Sequence, residues 1–472
     1  MKILLIAPNQ PRILSPGYMQ KIQEGLGYLP PLGLMSIASY IIKQGSRHSV
    51  AVIDALVDNI PQVKLEEQIR SFAPDVVGIH AITYALLDVL DTAKTARKAA
   101  PKAKIVVGGP HPTIYPKETL NFSEIDYIVS GEGEIPFFRL LSYIEGEIKD
   151  LSSVEGVAGK ESPEGSRITP YIHSNPDELP FPMRELTPYK KYSTVVGRDD
   201  FSTAIMGSRG CPYKCTFCHT AGGKTVRMRK PEHIIDEIEA CIKLGIREFL
   251  FFDETFTLDR KRILEFCRKI GERKIEIVWD ARCRVDLVDE EILQAMKKAG
   301  CQRIQFGVES GSKRVLNILK KGFEPEQAII AVKAAKKAGI ATYADFMIGN
   351  PGETYDEIQE TIKFASKLAP DYVHYSITIP LPFTSLYNDA IEKGIIKEDY
   401  WLRFAENPDE SFRVRYWEEN FTGAQLEELV AKAYHSFYMS PFYIVKAIGK
   451  LKSFSELKRK IKAGLKLLQM GK

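Results

Sequence analysis

The sequence predicts an α/β protein in which an open, doubly wound parallel sheet is followed by a partial parallel barrel and a mainly helical cap. Short β-branched segments alternate with helical segments through residues 1–150, and the alternation starts again at Phe201. Between them lies a proline-rich stretch that includes ELPFPMRELTPY and predicts a linker over 151–200. We therefore expect the barrel at 201–380 and the cap with a basic helical tail at 381–472.

The first half is expected to form a sheet of the Rossmann or flavodoxin kind. The predicted strands are Lys2–Ala7, Ser49–Asp54, Val76–His80, Lys104–Val107 and Asp126–Val129, and the predicted helices are Leu32–Gln44, Lys64–Phe72, Leu86–Ala99 and Glu134–Ile144. Ligands of such sheets bind at the carboxyl ends of the strands. Two of the loops there, Gly108–His111 and Gly131–Glu134, are rich in glycine, which lets the backbone approach a large flat ligand.

The second half predicts six strand–helix units, an incomplete version of the eightfold barrel. The predicted strands are Ser202–Gly207, Glu248–Phe252, Glu276–Asp280, Arg303–Val308, Ala341–Ile348 and Tyr372–Ile377, and the clearest helices are Pro231–Leu244 and Tyr355–Lys367. Active residues of such barrels lie at the carboxyl ends of the strands, so we expect the site there. The segment Asp399–Phe421, rich in tryptophan and tyrosine, is expected to cap this barrel.

Three of the seven cysteines, Cys211, Cys215 and Cys218, lie within eight residues after the first strand of the second half. Thiolates spaced C-x3-C-x2-C suit a four-iron four-sulfur cluster and leave one iron open for a small molecule. A zinc site with His219 as the fourth ligand is an alternative, although neighbouring ligands strain tetrahedral geometry. A chance grouping of thiols is the other alternative. The remaining cysteines are expected in the core, apart from Cys283, which could face the site.

The segment CPYKCTFC, with Phe217 before the third cysteine, resembles the signature of the radical S-adenosylmethionine (SAM) enzymes. The resemblance implies that the open iron binds the amino and carboxylate groups of SAM. It also implies that one electron from the cluster cleaves SAM to a 5'-deoxyadenosyl radical, and that an external donor such as flavodoxin or ferredoxin supplies the electron. Phe217 is then expected near the adenine.

The same resemblance implies SAM contacts at successive strand ends. The expected residues are Phe217, Asp253, Glu254, Arg284, Glu309 and Ile348. Either Asp253 or Glu254 would hold the SAM ammonium, and the sequence leaves that choice open because the family often has Gly-Gly-Glu there. Arg284 would donate two parallel hydrogen bonds to a carboxylate. The alternative is a surface ion pair between Arg284 and Asp286. Glu309 would accept the ribose hydroxyls, and the turn after the fifth strand would lie against the adenine.

The first half resembles the cobalamin-binding domain that precedes the radical domain in one large branch of that family, through PPLGLMSIASYI, VVGGPHPT and DYIVSGEGE. A nucleotide is not favoured, because no G-x-G-x-x-G follows the first strand. The motif D-x-H-x-x-G is also absent from the sequence, so no axial histidine is expected from it. The lone histidines His80 and His111 are better explained by local backbone hydrogen bonds. The expected cobalamin contacts are Gln10, Thr83, Tyr84, Gly108, Gly109, His111, Gly131, Glu132 and Gly133.

The resemblance therefore implies a cobalamin-dependent radical SAM enzyme that acts on a small molecule. The favoured reaction is methylation of an unactivated carbon, in which the deoxyadenosyl radical removes a hydrogen and methylcobalamin donates the methyl group. One alternative is a cobalamin-dependent radical cyclase or oxidase of the anaerobic Mg-protoporphyrin cyclase type. A non-enzymatic alternative is an iron–sulfur or cobalamin-binding sensor or carrier.

Charge and hydropathy bear on location and partners. No apolar run approaches the roughly 18 residues that span a bilayer, and the N-terminus is broken early by proline, so a cytoplasmic protein is expected. No nucleic-acid partner is expected. Residues 431–472 carry ten Lys or Arg against the single Glu456. A basic helix there either is solvated or lies on anionic lipid, and the second case would suit a hydrophobic or lipid-like substrate.

Overall fold

Two six-stranded sheets, each packed against helices, form the body of the protein. The computed structural model describes residues 1–14, 27–45, 47–162, 168–194, 201–219, 222–441 and 443–445. The predicted basic helix Lys450–Lys466 lies outside these residues. Within the described ranges, the structure has no helix with both the length and the apolar character needed to cross a membrane.

The first sheet has the strand order β2-β1-β3-β4-β5-β6. Its strands are β1 Lys2–Ala7, β2 Ser49–Asp54, β3 Val76–His80, β4 Lys104–Gly108, β5 Tyr127–Val129 and β6 Val157–Gly159. Its helices are α1 Leu32–Lys43, α2 Gln62–Phe72, α3 Leu86–Ala99, α4 Pro110–Ile114, α5 Pro116–Leu120 and α6 Glu134–Ile144. Strands β1 to β5 are parallel and follow the order of a flavodoxin-like sheet, which confirms the predicted fold class.

The sixth strand of this sheet lies inside the segment that the sequence predicts as a linker. β6 runs antiparallel to β5, with Tyr127 opposite Gly159 and Val129 opposite Val157. A side chain at Gly159 would lie 2.7 Å from the ring of Tyr127, so glycine allows the close approach. Three residues are too few to show strand periodicity, which explains why the sequence pattern missed this strand.

The second sheet is parallel throughout, and its order follows the sequence from β7 to β12. Its strands are β7 Thr203–Ile205, β8 Glu248–Phe251, β9 Val278–Cys283, β10 Cys301–Glu309, β11 Ala341–Ile348 and β12 Tyr372–Ile377. Its helices are α7 Pro231–Lys243, α8 Arg260–Glu272, α9 Glu290–Lys298, α10 Lys313–Ile318, α11 Pro325–Lys337 and α12 Tyr355–Leu368. Six parallel strands in this order, each of the first five followed by at least one helix, form the predicted partial barrel.

The strands of the second sheet have two different faces. Alternate residues, among them Trp279, Phe306 and Phe346, are buried in one core with the surrounding helices. The residues between them point to the inner side of the barrel and are mostly polar. We call this inner surface the lumen face; the members used below are Phe252, Asp280, Arg282, Arg303, Gln305, Asp345 and His374.

The C-terminal segment packs on both halves of the protein. It forms helices α13 Ser385–Glu392, α14 Tyr400–Glu406 and α15 Gly423–Tyr438. Helix α15 joins the barrel core, and the hydroxyl of Tyr434 accepts a hydrogen bond from the backbone of Tyr375 at 3.0 Å. The aromatic residues of α14 instead join the core of the first half, where Trp401 contacts Tyr84 edge to face. The aromatic residues of the predicted cap therefore pack on the first half as well as on the end of the barrel, where Trp401 Nε1 donates to the Pro380 carbonyl at 3.2 Å.

Candidate functional site

The cysteines lie in a loop that a short hairpin closes. After β7, residues Ser208–Arg209 pair antiparallel with Arg227–Met228. Gly210 has a positive φ of 91°, and a side chain there would lie 2.4 Å from the carbonyl oxygen of Thr225. Only glycine fits this turn, so the hairpin fixes the point at which the loop leaves the barrel. We call residues 211–218 the cysteine loop.

The three thiols of the cysteine loop are accessible. Cys211 and Cys215 are partly exposed, Cys218 is exposed, and none of them forms a disulfide. The backbone N–H of Cys211 donates to Gly223 at 3.1 Å, and that of Cys218 donates to Cys215 at 3.3 Å. In the described part of the chain, no three His, Cys, Asp or Glu side chains converge on one metal ion. The thiols of a four-iron cube bind separate irons and do not need to converge.

The other cysteines are buried, as predicted. They are Cys241, Cys267, Cys283 and Cys301. Burial raises the pKa of the Cys283 thiol to about 12, as it does for Cys241 and Cys267. Cys283 belongs to the barrel core, so the structure does not place it at the site.

The neighbouring carboxylates after β8 have different surroundings. Asp253 is fully buried and accepts hydrogen bonds from the backbone N–H of Gly207 and the hydroxyl of Ser208, both at 2.6 Å. Its carboxylate also lies 3.9 Å from the guanidinium of Arg262. The side chain of Glu254 is exposed and lines a cavity between the two halves. Asp253 therefore holds the base of the hairpin, and Glu254 is the one that can reach a ligand.

Arg284 is buried and already paired. It donates Nε to one oxygen of Asp286 at 2.9 Å and a terminal nitrogen to the other at 3.0 Å. The same terminal nitrogen donates to the backbone carbonyl of Lys321 at 2.5 Å. The guanidinium carbon lies 3.6 Å from the centre of the Tyr213 ring, in the cysteine loop. The alternative pair with Asp286 is thus present; it is partly buried, and its arginine packs against Tyr213 of the cysteine loop.

Lys321 joins the predicted SAM residues into one cluster, although sequence reasoning missed it. Its ammonium lies 3.0 Å from the Glu309 carboxylate, and both side chains are buried. The same ammonium lies 5.7 Å from the centre of the Phe217 ring. Burial raises the pKa of Glu309, and the charge of Lys321 opposes that shift. The sequence Lys320-Lys321-Gly322 belongs to no motif with a defined spacing. A lysine after a short helix is usually solvated, so nothing in the sequence indicated this contact.

The turn after β11 is held by its own carboxylate. Ile348 is buried at the end of the strand, and Glu353 accepts hydrogen bonds from the backbone N–H groups of Gly349 at 2.8 Å and Asn350 at 2.9 Å. The second carboxylate oxygen of Glu353 is buried and has no hydrogen-bond partner among the described residues. Burial raises the pKa of Glu353 to about 7. These hydrogen bonds hold the turn after Ile348 in place.

A cavity of ≈ 360 Å³ lies between the carboxyl edge of the first sheet and the hairpin of the barrel. Five of the expected cobalamin contacts line it: Gly108, Gly109, Gly131, Glu132 and Gly133. A side chain at Gly109 would lie 2.7 Å from the Ala81 carbonyl, and one at Gly131 would lie 2.2 Å from the Tyr171 carbonyl. Only glycine fits these two positions, and the loops built on them line the cavity as a backbone cradle that would hold a large, flat group such as cobalamin.

The other expected cobalamin contacts lie outside the cavity lining: Gln10, Thr83, Tyr84 and His111. His111 is fully buried, and its Nδ1 lies 3.1 Å from the hydroxyl of Thr83. Its partner is a side chain, so the expected local backbone bond is not found. Its Nε2 has no hydrogen-bond partner among the described residues, and burial lowers its pKa to about 3. His80 does line the cavity, and burial lowers its pKa as well.

Ion pairs join the glycine-rich loop of the first sheet to the hairpin of the barrel. Arg209 binds Glu132 at 2.8 Å and Glu134 at 2.6 Å, and Arg227 binds Glu132 at 2.6 Å. Burial lowers the pKa of Arg209, but the carboxylates of Glu134 and Glu132 outweigh it and leave the pKa above its usual value. The carboxylate of Glu132 is thus directed to two arginines. We call this group the interdomain latch.

Comparison with known proteins agrees with this architecture. Residues 205–365 match the model of the radical SAM superfamily, and residues 22–141 match the B12-binding domain. The chain is 35% identical to an uncharacterized methyltransferase of Pyrococcus horikoshii, over 99% of this chain and 98% of the relative. It is 30% identical to the anaerobic magnesium-protoporphyrin IX monomethyl ester cyclase of Rubrivivax gelatinosus, over 83% of this chain and 70% of that protein.

A solved structure has a similar fold. The radical SAM methyltransferase TsrM of Kitasatospora setae, whose structure contains cobalamin and a [4Fe-4S] cluster, superposes with a TM-score of 0.68 at 20% identity, over 83% of this chain and 78% of TsrM. A glycine cradle at the edge of the first sheet is joined by ion pairs to the hairpin that carries a loop of three accessible thiols on a partial barrel. With these relatives, it shows that the chain belongs to the radical SAM enzymes with an N-terminal B12-binding domain, which use a four-iron four-sulfur cluster, SAM and cobalamin.

Proposed function

We propose that this enzyme transfers a methyl group to an unactivated carbon of a small molecule. When bound, SAM and the cluster would supply a 5'-deoxyadenosyl radical that removes hydrogen from the substrate. Cobalamin would supply the methyl group. The observation that carries the proposal is the interdomain latch, because it ties the glycine-rich loop that lines the cavity to the hairpin from which the cysteine loop leaves the barrel. The P. horikoshii relative, which matches this chain from end to end and is named a methyltransferase, supports the same reaction.

The roles we assign to this chain's residues follow from their surroundings. Cys211, Cys215 and Cys218 hold the cluster through their accessible thiols. Glu254 binds the ammonium of SAM, since it is the carboxylate that reaches the cavity. Asp253 is a positioning residue that keeps the hairpin in place.

The remaining SAM contacts belong to the cluster around Lys321. Glu309 accepts hydrogen bonds from the ribose, and Lys321 neutralises the buried Glu309 carboxylate. Arg284 presents one face to Tyr213 and so supports the cysteine loop as well as the ligand. Phe217 and the turn after Ile348 lie against the adenine.

Two accompanying contacts belong to the proposal. An external one-electron donor such as flavodoxin or ferredoxin reduces the cluster. The tail at 431–472 attracts anionic lipid, because each basic residue near such a surface contributes about 1 kcal/mol. Sedimentation with anionic vesicles, comparing the full chain with one that ends at Ser440, tests the second contact. Equal, negligible sedimentation at low salt would assign the tail to solvent.

The test of the main proposal is labelled methyl transfer. The protein is purified without oxygen, reconstituted with iron, sulfide and cobalamin, and incubated with methyl-labelled SAM and extracts of the source organism. We expect label in a small-molecule product together with 5'-deoxyadenosine, and no label when the three cysteines of the loop are replaced by alanine. The sequence similarity to the Rubrivivax cyclase keeps cyclisation or oxidation as a second candidate. Formation of 5'-deoxyadenosine without labelled product would favour that candidate over methyl transfer.

A further inference from the structure

The lumen face carries charged side chains, and most of them are paired with each other. Asp280 of β9 forms an ion pair with Arg303 of β10. Asp345 of β11 accepts a hydrogen bond from Gln305 at 2.8 Å and lies 3.6 Å from Nδ1 of His374. Both carboxylates of the lumen face are therefore satisfied by neighbours within the sheet.

Arg282 differs from these residues. It lies on the same face of β9 as Asp280, directly opposite Gln305 in the strand register. Its guanidinium carbon stacks 4.8 Å from the centre of the Phe252 ring. Among the described residues it has no hydrogen-bond or ion-pair partner within contact distance, and its side chain remains reachable by solvent.

The guanidinium of Arg282 has lost part of its hydration without gaining a contact partner among the described residues. Burial lowers the pKa of its guanidinium, and the more distant carboxylates of Asp345 and Glu254 partly restore it. An arginine stays protonated in a protein, so the lumen contains a cation that has lost part of its hydration. A negatively charged ligand group would replace the lost water, because it can accept two parallel N–H···O hydrogen bonds from the guanidinium.

We propose that Arg282 binds an acidic group of the substrate, a carboxylate or a phosphate, within the barrel. Phe252 fixes the plane of the guanidinium, and it directly precedes Asp253 and Glu254 in the chain. The acidic group is therefore held next to the place where Glu254 is proposed to bind SAM. This inference rests on the proposed function and adds the substrate class: a small acid, in contrast to the lipid-like substrate that the tail suggests.

Binding of inorganic phosphate tests the site without knowledge of the substrate. The full-length protein is loaded with cluster, cobalamin and saturating SAM, and phosphate binding is measured by equilibrium dialysis at constant ionic strength. We expect Arg282→Gln to weaken phosphate binding about tenfold or more, the usual effect of losing a charge-assisted contact. Arg282→Lys keeps the charge but not the two parallel N–H donors. Its phosphate affinity should therefore fall between that of the natural protein and that of Arg282→Gln. Arg268→Gln removes a charge from an exposed helix position and should bind phosphate like the natural protein.

Two results would overturn the assignment. Equal phosphate affinity in the natural protein and Arg282→Gln would show that the lumen holds no anion site. A tenfold loss of SAM affinity in Arg282→Gln would show that Arg282 serves the cofactor and not the substrate.

The substrate class is tested separately. The labelled methyl acceptor from fractionated extract should be retained on a strong anion exchanger, and Arg282→Gln should not label it at the same concentration. An acceptor that passes through the exchanger unretained would refute an acidic substrate. Absence of any labelled acceptor would count against methyl transfer itself, and the phosphate result would still decide the role of Arg282.

Discussion

Exchanging each of the two neighbouring carboxylates after β8 for its amide should separate ligand binding from structural support. Glu254→Gln removes a charge that faces the cavity, whereas Asp253→Asn removes a charge that is fully buried. Both substitutions keep the shape of the side chain. Differences between them therefore report the charge and its hydrogen bonds.

The expected magnitudes follow from the contacts of each carboxylate. A hydrogen bond to a charged group contributes about 1.5 to 3 kcal/mol. Because Glu254 is open to solvent, we expect Glu254→Gln to cost the lower end of this range. That is about a tenfold loss of SAM affinity, with an unchanged free energy of unfolding. Asp253 accepts bonds of 2.6 Å from Gly207 and Ser208 and lies 3.9 Å from Arg262. Loss of its charge should lower the free energy of unfolding by about 1.5 to 3 kcal/mol.

Equilibrium binding of SAM to the reconstituted protein measures the first effect, and denaturant unfolding of the same preparations measures the second. Iron content serves as the control, since both variants should keep about four irons per chain. The reasoning would be refuted if Asp253→Asn weakened SAM binding more than Glu254→Gln and left the unfolding free energy unchanged.

Replacement of the three cysteines of the cysteine loop by alanine should abolish the cluster absorption, and an unchanged spectrum would contradict the central assignment. Cob(II)alamin bound to the protein should show no nitrogen superhyperfine splitting from a protein imidazole in paramagnetic resonance, and such splitting would reveal a histidine on cobalt. A double-mutant cycle on Glu134 and Arg209, measured by unfolding, should give a coupling energy of about 1 to 3 kcal/mol, and a value near zero would mean that the latch contributes nothing. Burial raises the pKa of Glu353 from 4.5 to about 7, so its stabilising contribution is complete below about pH 4.5 and is lost as the pH rises to about 7. Glu353→Gln should remove a decline of about 3 kcal/mol across that window, and an identical decline in unfolding experiments on the variant would exclude Glu353 as its source.

Local sequence patterns predicted the strands of both sheets because β-branched runs and glycine-rich loops report their own conformation. These patterns failed where the structure depends on contacts between residues that are far apart in the sequence. The pairing of Val157–Gly159 with β5 involves too few residues to be periodic. Nothing in the aromatic pattern around Trp401 indicates which of two cores it joins.

In the candidate site, too, the sequence predicted what depends on neighbouring residues and missed what depends on tertiary contacts. Spacing predicted the cysteine loop, since its ligands are neighbours in the chain. Adjacency could not separate Asp253 from Glu254, because alternate residues of an extended segment face opposite ways and the sequence does not say which way is inward. Lys321 became visible only through its contact with Glu309, which is a tertiary contact.

The two faces of the barrel strands separate what a substrate meets from what holds the protein together. Exchange of a core residue such as Trp279 or Phe306 would create a cavity costing about 3 to 5 kcal/mol. Exchange of Arg282 changes a solvent-reachable side chain, and such changes usually cost no more than about 0.5 kcal/mol. A scaffold built this way can acquire a new substrate through single substitutions on the lumen face while its folding stays intact. The two-residue repeat of the strands thus lets the side chains that meet a substrate change independently of those that form the core.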